Sequence, residues 1–349
     1  MDLNAVQAEQ GAVFAPDQIP LHFGDQLAEY RAAFENVILL DRSHEARLEM
    51  TGSSALDLIQ RISTNDVATL VESQGRPTVF TNAIARILDR IEVFRQTDKL
   101  FILGGPGRST PLRAYLQRNI FFGDDARVQD AAPSTRQFDL HGPAAQTIIK
   151  AAAPDAADLN IYEGRATTIA DAPVYIMRRP PITEQHWTII APIEQAAAIW
   201  TTLTEAGAQP AGSLIYNVLR VRAGLPSVGR ELSEQYIPLE VGLWDAVSFS
   251  KGCYTGQEII ARMESRNRLA KTLVAIQLDA RVDVPAAVYV DGRSVGQLTS
   301  SVAAPDGEIF ALAVVKPDYA EAGQLLTVGD DHVAAQVKAA PEAIRRQIR

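Results

Sequence analysis

One succession of elements is written twice in the first two thirds of this chain, and it restricts the fold more than any single residue does. "RLEMTG" reads as a strand, followed by a helix capped by Ser53 or Ser54 with Leu56, Ile59 and Ile62 on one face. Two strands come next, "IEVFR" and "LFILGG", joined by the polar "QTDK", and Thr110-Pro111 opens a helix through Leu116. The order then returns. "FDLHG" precedes a helix that Pro143 starts and that stops before Pro154. "VYIMRR" and "WTIIAP" supply two more strands, and "IEQAAAIWTTLTEAG" is a helix closed by Gly207. Strand, helix, hairpin, helix, written twice, predicts an α+β fold of duplicated units with antiparallel sheets. No βαβ series alternates along the chain, and no G-x-G-x-x-G follows a strand, which argues against a dinucleotide fold.

The rest of the chain changes character. "SLIYNVLRVRAGLP" reads as a capped helix ended by Gly224 and Pro226. After Lys271, the runs "KTLVAIQLD", "AAVYVDG", "SVGQLTSS", "EIFALAVV" and "QLLTVG" are short, β-rich and separated by Gly, Pro and Asp turns, as in a small antiparallel barrel or sandwich. The expected division is a flexible tail over residues 1–20, two α+β subdomains over 21–265, a β-barrel domain over 266–340 and a tail, frayed or a surface helix, over 341–349. At 349 residues, more than one packed unit is required.

Composition removes several functions. A single cysteine excludes an intrachain disulfide, and it cannot supply the thiolates of a structural zinc site or a self-contained iron–sulfur cluster. The five histidines are scattered with no i, i+4 pair, so no metal site is expected. The N-terminal segment lacks the basic start and apolar core of a signal peptide, and no run approaches the ~18 apolar residues of a membrane span, so a cytoplasmic protein with no membrane partner is expected. A net charge of −9 argues against direct nucleic-acid binding, although Lys251, Arg262, Arg266, Arg268 and Lys271 form a local basic stretch.

The lone cysteine stands in "SFSKGCYTGQEIIAR". Gly252 and Gly256 permit a loop that wraps closely around a ligand or another strand. Lys251 and Arg262 offer positive charge to an anion, Tyr254 a stacking face, and Gln257 and Glu258 donors and acceptors for a flat heterocycle. Cations nearby would make Cys253 a usable thiolate. The same letters also describe a buried cysteine in a glycine-rich turn opening the helix "TGQEIIARM". Both readings stand on the residues alone.

The run "RAGLPSVGRELSEQYIPLEVGLWDAVSFSKGCYTGQEIIAR" resembles the folate-binding segment of the glycine-cleavage T-protein superfamily. "KGCYTGQE" is similar to the signature of its YgfZ branch, folate-binding proteins that support iron–sulfur enzymes. "LDRSHEARLEMTG" with "STNDVATL", and "VGQLTSS" with "IFALAVVKPDYAEAGQLLTV", resemble the family's N-terminal and barrel segments. The resemblance implies a ring of three domains around a central channel for tetrahydrofolate or a one-carbon or polyglutamyl derivative. It also implies iron–sulfur enzymes as clients, with an indirect effect on tRNA modification.

The resemblance further implies roles for single residues. Glu240 falls where a carboxylate grips the donor pair of the pterin. Asp89 matches one member of an Asp-Asp pair that assists folate chemistry, but Arg90 stands in place of the second. Lys251, Cys253, Tyr254, Gly256, Gln257 and Glu258 match the branch signature, with Cys253 functional. Arg262, Arg266, Arg268 and Lys271 would meet the glutamate tail of folate. The altered acidic pair and the Cys-Tyr-Thr-Gly-Gln-Glu form count against the rival reading, an aminomethyltransferase of glycine cleavage. A third reading, the folate half of a flavin-dependent demethylase, lacks any flavin-binding stretch.

Overall fold

The computed structural model describes residues 2–265 and 269–340, so Arg266, Arg268 and the tail 341–349 lie outside the described residues. The duplication is real at the level of topology. The first sheet orders its strands Gly75–Thr81, Ile87–Arg95, Leu100–Pro106, Glu45–Thr51, Arg127–Asp130, all antiparallel. The second orders them Glu163–Ile169, Ala172–Arg178, His186–Pro192, Thr135–His141, Ile38–Asp41, Gln209–Ala211. In each unit the first-written strand lies between the fourth and the last. The second sheet differs by the insertion of Ile38–Asp41, which arrives from ahead of the first unit and pairs in parallel with Gln209–Ala211.

Each unit therefore carries strands beyond the expected hairpin. Gly75–Thr81 and Glu163–Ile169 make it a three-stranded meander, and Arg127–Asp130 and Gln209–Ala211 close it. Pro77 sits inside the first of these strands and the second is largely polar, which hides both from pattern reading. The first expected helix keeps Ile59 and Ile62 of its apolar face, with Leu58 fully buried and Leu56 only half-buried. Ala55–Ile62 buries Leu58, Ile59 and Ile62 against Leu48, Met50, Ile91 and Val93. In the second unit Phe138, Trp187 and Trp200 fill the equivalent core, each such side chain contributing about 1.5–3 kcal/mol or more on burial.

Gly52 and Gly142 hold the same position in the two units, between first strand and helix. They have φ of +106° and +129°, and a Cβ would lie 2.2 Å from the Asp125 carbonyl oxygen and 2.4 Å from that of Asn36. Backbone passes too close there for any side chain.

The sheets meet edge to edge. Gln74 and Glu163 form an antiparallel bridge, the Gly75 N–H donates to the Tyr162 carbonyl at 2.6 Å, and the Gly164 N–H donates to that of Ser73 at 2.8 Å. Phe94, Phe101 and Leu103 from the first unit pack there against Met177 and Ile190 from the second.

The N-terminal segment departs from the expected tail. Leu3–Glu9 is a helix with Leu3 and Val6 buried in the second core, and the Trp200 Nε1–H donates to Gln10 Oε1 at 2.8 Å. Its apolar spacing was too short to read as a helix. The C-terminal domain is a closed barrel of six strands: the five expected, plus Val333–Ala339, which pairs with both Leu325–Val328 and Thr272–Leu278. Helix Ser213–Arg222 is the wedge between all three domains. Its Ile215, Val218 and Leu219 share one core with Val79 and Ile87, with Ile38 and Leu40, and with Leu273 and Val314 of the barrel.

Candidate functional site

A cavity of about 250 Å³ opens where the two units meet the wedge helix. Arg42 and Glu45 form one wall, Arg90 and Glu92 a second, and Arg179, Tyr216 and Arg220 face them. Arg90 and Glu92 are alternate residues of one strand and so share a face. A smaller cavity adjoins it and shares Arg90, Glu92, Arg179 and Tyr216.

The charges are paired across the joint. Arg179, just after a strand of the second sheet, reaches Glu92 of the first with Nε–Oε2 at 2.8 Å and Nη2–Oε1 at 3.4 Å. Arg90 Nη2 donates to Glu92 Oε1 at 3.1 Å. Burial alone would raise the Glu92 carboxyl, but Arg179 and Arg90 hold it down at about 2. Arg42 donates to Glu45 through Nη2 at 2.5 Å and Nε at 3.1 Å, and its guanidinium lies 3.5 Å over the Tyr216 ring. Among the described residues, the buried Nε–H of Arg90 has no hydrogen-bond partner. The arrangement can hold a flat, anionic ligand: fixed cations for carboxylates, a tyrosine face, and carboxylates for N–H donors.

Behind the smaller cavity lies a cluster the sequence did not announce. His141 and His186 are cross-strand partners with ring centroids 4.1 Å apart, and Asp139 Oδ2 lies 3.3 Å from His186 Nε2 and 4.0 Å from His141 Nε2. The expectation that the histidines are scattered is corrected for these two. Strand register, invisible as sequence spacing, brings them together.

The residues singled out from sequence gather elsewhere. Asp89 is buried, accepts the Arg108 Nε–H at 2.7 Å and the Arg90 backbone N–H at 3.1 Å, and is pushed upward chiefly by burial. Glu240 is buried; its Oε2 accepts the Ile237 N–H at 3.1 Å and lies 3.6 Å from Arg86, and burial raises its pKa against both. Lys251 does not offer its charge to an anion. Its Nζ donates to the carbonyl oxygens of Gln60, Ser63 and Asn65 at 2.6, 2.7 and 2.9 Å, capping the end of helix Ala55–Ile62, and burial lowers its pKa to about 8.

The rest of the motif packs on the turn between two strands of the first sheet. Tyr254 is buried with Ala85, Ile237 and Leu239, and burial raises it to about 12. Gly256 has φ +86°, and a Cβ there would lie 2.9 Å from the Ala85 Cα and the Asn82 carbonyl oxygen. Gln257 Nε2 reaches the Lys251 carbonyl at 3.4 Å. Cys253, Glu258 and Arg262 are exposed, and Lys271 Nζ lies 5.3 Å from the Tyr236 ring centroid. The structure brings Lys251, Tyr254 and Gly256 together in one loop with Gln257 at the start of the helix that follows, and among the described residues none of those selected for the site from sequence lines the cavity.

Comparison with known proteins agrees with this architecture. A chloroplastic protein of Arabidopsis thaliana, provisionally named a transferase, is 30% identical over 302 residues, covering 86% of this chain and 70% of that one. The aminomethyltransferase of Streptomyces avermitilis is 29% identical over 339 residues, covering 92% and 90%. The crystal structure of glycine cleavage system aminomethyltransferase T from Bartonella henselae superposes with a TM-score of 0.85 at 21% identity, covering 97% of this chain and 96% of that one, which shows a common fold. The family description "GCVT N-terminal domain" matches residues 3–251, most of the chain and both halves of the cavity. The chain therefore belongs to the GCVT N-terminal domain family.

Proposed function

We propose that this protein binds tetrahydrofolate in the cavity between its two α+β units and supports iron–sulfur enzymes in the cytoplasm, without releasing ammonia from an aminomethyl donor. The charge of the cavity wall at Arg90 carries this reading. By resemblance a second carboxylate would follow Asp89; here a guanidinium stands in the cavity with an unbonded Nε–H, and Asp89 is held by Arg108. Expelling ammonia from an aminomethyl carbon builds positive charge, which a neighbouring guanidinium opposes. The same guanidinium attracts the carboxylates of folate. Family membership supports the folate ligand, and the "KGCYTGQE" form supports the YgfZ-type role. In this reading Glu240, Lys251, Tyr254, Gly256 and Gln257 shape the loop, while exposed Cys253, Glu258 and Arg262 face client enzymes.

Two measurements on the same preparations test it. Calorimetric titration with tetrahydrofolate should show binding, weakened about 10-fold or more by Arg90→Gln, the usual effect of losing a charged hydrogen-bond partner. Incubation with an aminomethylated lipoyl carrier and tetrahydrofolate should release no ammonia. Steady ammonia release would overturn the proposal, and affinity lost in Glu240→Ala but kept in Arg90→Gln would move the site. One observation favours the rival, aminomethyl transfer: burial raises the pKa of Asp89, as suits a group that carries a proton.

A further inference from the structure

We propose that Asp139, His141 and His186 bind a divalent first-row transition-metal ion, with coordination left open toward the smaller cavity. The argument is one of unmatched lone pairs. His186 Nδ1 lies 3.1 Å from the Pro180 carbonyl oxygen, which only accepts, so Nδ1 carries the ring proton. With the proton on Nδ1 alone, Nε2 would direct a lone pair at Asp139 Oδ2, 3.3 Å away. Thr188 does not relieve this contact, because its hydroxyl donates to Asp139 Oδ1 at 2.8 Å. Among the described residues Asp139 Oδ2 meets no donor besides His186 Nε2, should that nitrogen carry a proton, and neither nitrogen of the fully buried His141 has a partner. Orphaned buried polar atoms are costly, and here several face one point.

A proton shared between His186 and Asp139 would satisfy two of these atoms and leave His141 unmatched. A metal ion takes one lone pair from each of the three residues, and of the atoms named it leaves one nitrogen of His141 unmatched. One ligand atom from each lies within 4.8 Å of the others. Bonds of about 2.0–2.2 Å to nitrogen and oxygen place tetrahedral ligands roughly 3.3–3.5 Å apart, so the 3.3 Å contact already fits, the 4.0 Å contact closes by about half an ångström, and the two imidazole nitrogens, within 4.8 Å of each other, close by at most about 1.5 Å. The His186 Nδ1–H bond to a carbonyl is the outer support that metal-bound histidines usually have. Two imidazoles and one carboxylate suit zinc, cobalt, nickel or ferrous iron rather than calcium or magnesium. Arg179 Nη1 donates to the Thr188 hydroxyl at 3.3 Å and stays 3.7 Å from Asp139 Oδ2, beyond hydrogen-bond distance, while its Nε and Nη2 are held by Glu92. His186 and Arg179 both line the smaller cavity, which gives the ion an entrance and a place for water or a ligand oxygen.

The test is equilibrium dialysis of chelator-stripped full chain against Zn²⁺ and Co²⁺, with the Co²⁺ visible spectrum and thermal unfolding recorded. One equivalent should bind, with d–d bands of nitrogen and oxygen ligation and a raised unfolding midpoint. Asp139→Asn and His141→Gln should each weaken binding at least about 10-fold, and Cys253→Ser should leave it unchanged. Should those cluster variants not fold, the wild-type spectrum alone decides. No ion retained at micromolar free metal, retention that survives both cluster variants, or a thiolate-to-cobalt band that places the ion on Cys253 would each overturn the site.

Discussion

Lys251 shows how one residue type in one motif serves two different ends. From sequence its charge was free to meet an anion; in the fold all three protons go to main-chain carbonyls at a helix end. Nothing in "KGCYTGQE" foretells that, because the partners lie almost two hundred residues earlier. Lys251→Met would strand those carbonyls, so a loss of about 3 kcal/mol or more is expected in chemical denaturation. Tetrahydrofolate affinity of the variant that remains folded should be unchanged, since the ammonium has no spare donor. A large affinity loss with unaltered stability would return Lys251 to ligand binding. Gly256 was legible for the opposite reason: its requirement is local, a positive φ and a close neighbour, and glycine announces such places directly.

At the scale of elements, the helices and the central strands were readable because their apolar periodicity reflects packing within one unit. The strands at the edges, Gly75–Thr81 and Glu163–Ile169, were not, since part of what holds them is the opposing unit rather than their own pattern. The paired strand-to-helix corners carry a test of the duplication. Gly52→Ala and Gly142→Ala each place a methyl against a carbonyl oxygen at a φ that L-residues avoid. Each substitution should cost more than about 1 kcal/mol, beyond the usual gain from replacing glycine, and lower the unfolding midpoint in parallel. Neutral behaviour of both would mean that the corners open readily and that their likeness has no structural cause.

Across the whole molecule, the Glu92–Arg179 pair is a charged side-chain contact that spans the joint. Its effect depends on pH in a defined sense. The folded carboxyl titrates at about 2, below its ordinary 4.5, so the unfolded chain binds the proton more readily between those values. The stabilisation is complete above about pH 4.5 and disappears as pH falls toward about 2, amounting to about 3 kcal/mol. Glu92→Gln should therefore be less stable than wild type at neutral pH, with the two unfolding curves converging as the pH is lowered from about 5 toward about 3. Curves that stay parallel would show that the pair does not hold the joint.

The edge-to-edge seam between two units of one topology also has a consequence for ancestry. A unit standing alone would have had half a cavity, and two identical copies facing across a dyad would have had to present the same groups from both sides. Across such a dyad a glutamate that meets an arginine meets it twice, because every contact of one residue with another is repeated on the opposite side of the axis. Joining the copies into one polypeptide removes that constraint, and a glutamate from one half can then meet an arginine from the other with no mirrored counterpart, an asymmetry that a fused gene, unlike a symmetric pair, is free to evolve.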